Sequence, residues 1–335
     1  MPLRRNLRQA RFTIANSITA FHQEFSSGGS CQKSCNDGVA KAIQADRAWN
    51  EDMSEQTFIE TSHGHIAVSD IAGEGTPLLM LHCNSGCKEM FLFQNQALAG
   101  TRRLVSLDLP GHGASSDAIA PQHTYCFGGY AEAIAEVLAK LGIDRVAILG
   151  HSLGGHIALD LVAKLANVSG VMIFGTPPIP PGPEGAQLGF LPNPEMAYTG
   201  NPTLTDEQVE GVVAMALGPG AERDLFYTSA VRRADGRARQ HMVEAVLAGS
   251  QIDQRELVTT SHVPLAVING ADDPVINLDY IDRLRYRNLW TNRPLRLAGA
   301  GHGAHWQQHK LFNEILRSFL VSLDRRFHAD SHALT

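Results

Sequence analysis

Residues 146–156, Val-Ala-Ile-Leu-Gly-His-Ser-Leu-Gly-Gly-His, constrain what this chain can fold into more than any other stretch. The apolar run 146–149, closed by Gly150, has the pattern of a buried strand. Residues 157–165, Ile-Ala-Leu-Asp-Leu-Val-Ala-Lys-Leu, read as a helix. Between them Gly150-His151-Ser152-Leu153-Gly154 matches G-x-S-x-G, a strained strand-to-helix turn that exposes a serine hydroxyl at the end of a sheet. Gly150 and Gly154 have a steric task there, since only residues without a side chain let strand and helix close around so tight a turn.

A serine hydroxyl is a weak nucleophile until a base takes its proton, and the base needs an acid to orient it. Both are expected downstream, in the order Ser, acid, His. A buried strand at 263–268 ends in Asn269-Gly270-Ala271-Asp272-Asp273-Pro274, and a short strand from 295 runs into Gly301-His302-Gly303. Spacing from Gly270 favours Asp273 as the acid, with Asp272 as the alternative. His302 is the expected base, with His305 as the alternative at the start of the last helix. His112, in the Gly/Pro-dense turn Asp108-Leu-Pro-Gly-His-Gly-Ala-Ser115, suits a structural role. Upstream, strand 77–82 leads into Cys83-Asn84-Ser85-Gly86, the strand-then-loop form of a segment that donates backbone N–H groups to an oxyanion. Leu153, together with Cys83 or Asn84, is the expected donor pair.

The net charge of −6 argues against a general nucleic-acid-binding surface. No run of 18 apolar residues occurs, so no membrane span is expected. The five cysteines form an odd, sparse set that favours reduced thiols and a cytoplasmic location. No H-x-H-x-D-H or comparable ligand cluster exists, so neither metal nor other cofactor is expected. His63 and His65 fall by alternation on one exposed face and read as structural.

Residues 1–52 differ from the rest: an Arg-rich, acid-poor start, then Ser26-Ser-Gly-Gly-Ser30 and a polar stretch carrying Cys31 and Cys35. They are read as a poorly ordered extension. From residue 57 a hairpin begins, followed by strands and helices in alternation, the signature of a mostly parallel sheet covered on both faces. Helices are expected near 89–99 and 127–141. The alternation breaks at Pro177-Pro-Ile-Pro-Pro-Gly-Pro183, after which about 80 residues lack a strand pattern. Thr205 and Gln208 form a capping-box signature in this stretch, and 221–230 and 236–247 also read as helical. The expected organisation is therefore a core of 53–176 and 261–325, a helical cap at 177–260 after the sixth strand, and a tail at 326–335.

The stretches His82-Cys-Asn, Asp108-Leu-Pro-Gly-His-Gly, Gly150-His-Ser-Leu-Gly-Gly, Gly270-Ala-Asp-Asp273 and Gly301-His302 together resemble the α/β-hydrolase superfamily. The resemblance runs from Phe58 to Leu323. A narrower likeness is to the metal-independent N-acyl-homoserine lactonases of this fold. Glu60-Thr-Ser-His-Gly-His-Ile-Ala-Val, Gly175-Thr-Pro-Pro, Ala234-Asp-Gly-Arg-Ala-Arg and Asn288-Leu-Trp290 carry it. Cys83 stands where such loops usually have Gly, and Asp273 where the lactonases look to have Glu. The likeness implies a small ester or lactone substrate with an apolar acyl chain. Asn84, His151, Phe190 and Met215 are its expected contacts, and Leu191, Met196, Val209 and Val213 are further apolar cap residues. Esterases and C–C hydrolases share this triad, and the same scaffold can serve as a ligand receptor.

Overall fold

In the computed structural model, which describes residues 55–333, eight strands pair into one sheet in the order β1-β2-β4-β3-β5-β6-β7-β8. The hairpin of β1 (Glu55–Thr61) and β2 (Gly64–Ile71) pairs in unbroken register from Glu55↔Asp70 to Thr61↔Gly64. β2 lies antiparallel to β4 (Leu104–Leu107). From there β3 (Leu78–Leu81), β5 (Val146–His151), β6 (Val168–Phe174), β7 (Leu265–Gly270) and β8 (Leu295–Leu297) run parallel. The alternation expected at His63 fails because the hairpin turns at Ser62 and His63. His63 is buried, with Nδ1 2.8 Å from the Thr124 hydroxyl, whereas His65 is exposed.

The central strands are apolar at every position because both faces are covered. Leu79, Leu81, Ile148, Val171, Ile173 and Val267 face one layer, packed with Phe127, Tyr130 and Ile134 of α2 (Phe127–Lys140) and Ile157 and Leu161 of α3 (Leu153–Lys164). Met80, Ala147, Leu149, Met172, Phe174 and Ile268 face the other. There they meet Leu98 of α1 (Leu92–Leu98) and Phe312, Leu316 and Phe319 of α10 (His309–Ala333). The last helix thus continues through residues expected to be a tail, and a separate single turn, Ala304–Gln307, precedes it.

Between β6 and β7 the chain is helical: α4 (Gly182–Gly189), the turn Pro194–Tyr198, α5 (Asp206–Leu217), α6 (Leu225–Arg233), α7 (Gly236–Ala248) and α8 (Gln254–Thr260). The capping box at the start of α5 forms: the Thr205 hydroxyl accepts from the Gln208 N–H, and the Gln208 side chain accepts from the Thr205 N–H. Val209, Val212, Val213, Ala216 and Leu217 of α5 form a third apolar cluster with Tyr227, Val231, Cys83, Cys87 and Met90. α9 (Leu278–Arg283) follows β7. Among the described residues no helix is long and apolar enough to cross a membrane, and Cys83, Cys87 and Cys126 are free thiols. Cys31, Cys35 and the rest of the extension lie outside the described residues.

Candidate active site

Ser152 joins β5 to α3 with φ 52° and ψ −114°. Among the described residues, only Ser152 and Ser85 have a positive φ without being glycine. Both lie at this site, where such backbone strain concentrates. The strain at Ser152 is held by its neighbours. Its N–H donates to the Phe174 carbonyl (2.9 Å), and its own carbonyl accepts from the Gly155 N–H (2.9 Å) and the Thr176 hydroxyl (3.0 Å). A Cβ on Gly154 would sit 2.1 Å from the Leu81 carbonyl oxygen, and one on Gly150 would sit 2.5 Å from that of Gly154. No side chain fits at either place. Leu153, the first residue of α3, has no intrahelical acceptor for its N–H.

The loops after β7 and β8 bring Asp273 and His302 together. His302 Nδ1 donates to Asp273 Oδ2 at 2.9 Å, which leaves Nε2 as the unprotonated nitrogen. Asp273 Oδ1 accepts from the N–H groups of Val275 (2.9 Å) and Ile276 (3.2 Å). Burial would raise the Asp273 carboxyl, but His302 and these two donors outweigh it and hold the group below its usual range. Gly175 (φ 59°) makes room for the imidazole, since a Cβ there would lie 2.7 Å from His302 Cε1. Asp272, the alternative acid, is exposed, and its N–H donates to the Ala300 carbonyl. His305, the alternative base, is fully buried among Phe91, Phe174 and Phe312, where burial pushes its imidazole down to about 3.

The loop after β3 is clamped from below. His82 Nε2 accepts the Leu109 N–H (3.0 Å), so its Nδ1 carries the proton and donates to the Cys83 carbonyl (2.7 Å). Cys83 turns its sulfur toward Met90 (3.7 Å), and burial raises the thiol to about 12. The side chain that replaces the usual Gly therefore packs as a small apolar group. Asn84 is already engaged: its amide donates to the Thr199 carbonyl (2.9 Å) and its oxygen accepts from Ser85 (3.3 Å). Arg239, 4% exposed and given no role in the sequence beyond its place in Ala234-Asp-Gly-Arg-Ala-Arg, ties this loop to the helices between β6 and β7. Its guanidinium reaches Ser85 Oγ (3.3 Å) and the carbonyls of Asn201 (2.7 Å) and Pro202 (3.1 Å). His112 is a buried turn residue, with Nδ1 3.0 Å from the Pro110 carbonyl.

Ser152, His302, Leu153, Cys83 and Asn84 open into one cavity of about 190 Å³ between the sheet and the helices above it. Phe190, Met196 and Met215 line it. Val209 and Val213 pack inside the helical layer instead, and Leu191 is exposed. His151 is a correction. It is fully buried on the opposite face of the sheet, stacked on Phe174 at 4.5 Å, with Nε2 3.1 Å from the His302 carbonyl. Its ring supports the loop that carries His302 and does not line this cavity. Lining residues that the sequence did not single out include Phe127, His156, Thr199, Met242 and Val246. Among the described residues, one His/Glu group, His63, His123 and Glu132, has the spacing of a metal site; none of the three lines the cavity.

The alpha/beta hydrolase fold family model matches residues 76–211. The structure of the N-acyl homoserine lactonase AidH complexed with N-butanoyl homoserine is 36% identical, with a TM-score of 0.76 over 80% of this chain and 97% of that one. A serine-to-glycine variant of AidH, complexed with N-hexanoyl homoserine lactone, is also 36% identical, with a TM-score of 0.78 over 81% and 99% of the two chains. A 2-hydroxy-6-oxononadienedioate/2-hydroxy-6-oxononatrienedioate hydrolase from a Pseudomonas species is 26% identical over 77% of this chain and 93% of its own.

Proposed function

Because the chain belongs to the α/β-hydrolase family and is related to the lactonase AidH, we propose that it is a serine hydrolase that opens N-acyl homoserine lactones. The observation that carries this reading is the apolar cavity into which Ser152 and His302 both open. His302 Nε2 takes the Ser152 proton and the serine oxygen attacks the lactone carbonyl. Asp273, ionised and buried, keeps Nδ1 protonated and stabilises the imidazolium that forms. The N–H groups of Leu153 and of Cys83 or Asn84 receive the oxyanion, and one such donor is worth about 3 kcal/mol of barrier. The ring alcohol leaves the carbonyl with the proton from His302 but stays tethered to the acyl group. Water, activated by His302, then releases the N-acyl homoserine from Ser152.

The Pseudomonas relative favours a second reading, cleavage of a C–C bond in a dicarboxylate. Among the described residues no Lys or Arg lines the cavity to neutralise a distal carboxylate, and the apolar wall suits an acyl chain better. The test is a panel of acyl homoserine lactones, p-nitrophenyl esters and a 2-hydroxy-6-oxo dienedioate. Highest kcat/KM on the lactones supports the proposal. Highest kcat/KM on the dienedioate replaces it.

A further inference from the structure

The wall of the acyl cavity carries one side chain whose protonation the surrounding network fixes. Gln254 is fully buried, and its amide nitrogen donates to the His156 carbonyl (3.0 Å) and to Asp160 Oδ1 (3.1 Å). The carbonyl can only accept, so the orientation of the Gln254 amide is settled and its oxygen faces His156. That oxygen lies 2.7 Å from His156 Nδ1, which must therefore carry the proton. The ring is held flat against Phe127, at 4.7 Å and 3°, and leans on Phe190 at 6.2 Å. Phe127, Phe190 and His156 all line the cavity. Burial pushes the imidazole down to about 4, so at neutral pH it is uncharged and Nε2 holds a lone pair. Gln254 takes Nδ1, and among the described residues no hydrogen bond occupies Nε2. A free acceptor on a ring that lines a mostly apolar wall favours a ligand that brings a donor to it.

We infer that His156 Nε2 is a polar subsite of the acyl cavity and accepts a hydrogen bond from a hydroxyl on carbon 3 of the acyl chain. The inference rests on the lactonase reading above and narrows its substrate class to N-(3-hydroxyacyl) homoserine lactones. Backbone spacing is the ground for carbon 3. His156 follows Ser152 by four residues on α3, about 6 Å along the helix axis. From the scissile lactone carbon, through the ring carbon and the amide, to the 3-oxygen is a path of six bonds. An extended backbone covers roughly 3.5 Å per three bonds, so this path spans about 7 Å. The amide nitrogen, two bonds from the scissile carbon, falls well short. A 3-oxo group would set an acceptor against an acceptor and should be disfavoured.

The experiment measures binding of N-octanoyl, N-(3-hydroxyoctanoyl) and N-(3-oxooctanoyl) homoserine lactone to the full-length Ser152→Ala protein by calorimetry. Turnover of the same three by the wild type is measured alongside. The expected order of affinity is 3-hydroxy, unsubstituted, 3-oxo, with the hydroxyl worth about five- to ten-fold in Kd. In Ser152→Ala/His156→Phe, where the ring stack is kept and the acceptor removed, the hydroxy-to-unsubstituted ratio should fall to about one. Should that variant not fold, the nitrogen NMR shift of His156 Nε2 in Ser152→Ala gives the same answer. It should move on adding the hydroxy compound and stay put with the unsubstituted one. Equal affinities, or an unmoved Nε2, overturn the subsite even if all three lactones are hydrolysed. A hydroxyl preference in binding without any lactone turnover keeps the subsite and removes the lactonase reading.

Discussion

At the scale of single residues, the pairing of His302 with Asp273 makes the two adjacent aspartates unequal. Asp273 is buried and binds the imidazole, while Asp272 faces solvent. Asp273→Asn should therefore lower kcat by orders of magnitude, because the amide no longer imposes the Nδ1-protonated tautomer. Asp272→Asn should change kcat less than about three-fold, and the reverse ranking would exchange their roles. Asp160 supplies a stability test. Burial raises its carboxyl to about 6, above the ordinary 3.8. A carboxyl raised on folding contributes stability below the unfolded value, and that contribution is lost as pH rises through the folded one. Asp160→Asn, which does not ionise, should thus be more stable than the wild type at pH 7 by roughly 1–3 kcal/mol and melt higher, with the difference lost below about pH 4. Melting curves at pH 4, 5, 6 and 7 check this, and a difference independent of pH would show that Asp160 is not the titrating group. His151 was legible in principle. The period of two that places Ala147 and Leu149 against α10 also carries His151 to that face, against the substrate contact expected of it.

At the scale of elements, α5 and α7 supply Val212, Met215, Ala216, Met242, Val243 and Val246 to the cavity wall. Each methylene buried against such a wall contributes about 0.8 kcal/mol. Two further acyl carbons should raise kcat/KM roughly ten-fold until the 190 Å³ cavity is filled, after which the gain stops. Kinetics across butanoyl to dodecanoyl lactones would show it, and a flat series would mean that the tail stays in water. The strands and α5 could be read because their signals are local: unbroken apolar runs, and a capping box in four consecutive residues. α4 and the turn Pro194–Tyr198 could not, because the prolines that read as breakers occupy the first turn, where a missing N–H costs nothing. α8 is seven residues long, too short for periodicity, and is marked only by the Asp253 side chain accepting from the Glu256 N–H. His156 lies one helical turn beyond the nucleophile on the same side of α3. Its role depends on Gln254, 98 residues away, which no local pattern reveals.

At the scale of the whole molecule, the core from residue 55 onward holds both faces of the sheet and every residue assigned to catalysis. A chain beginning at Met53 should therefore keep its lactone kcat/KM within about two-fold and its melting temperature within a degree or two. A drop of several degrees, or a change in oligomer size on gel filtration, would make residues 1–52 part of the working protein. The central claim, that Ser152 opens a lactone ring, is tested most directly by proton release, since each ring opened at neutral pH yields one carboxylate and one proton. A pH-stat trace with N-hexanoyl homoserine lactone should show sustained release by the wild type, and at least about 1,000-fold less with Ser152→Ala. Undiminished release by Ser152→Ala, or none by the wild type, would contradict the account.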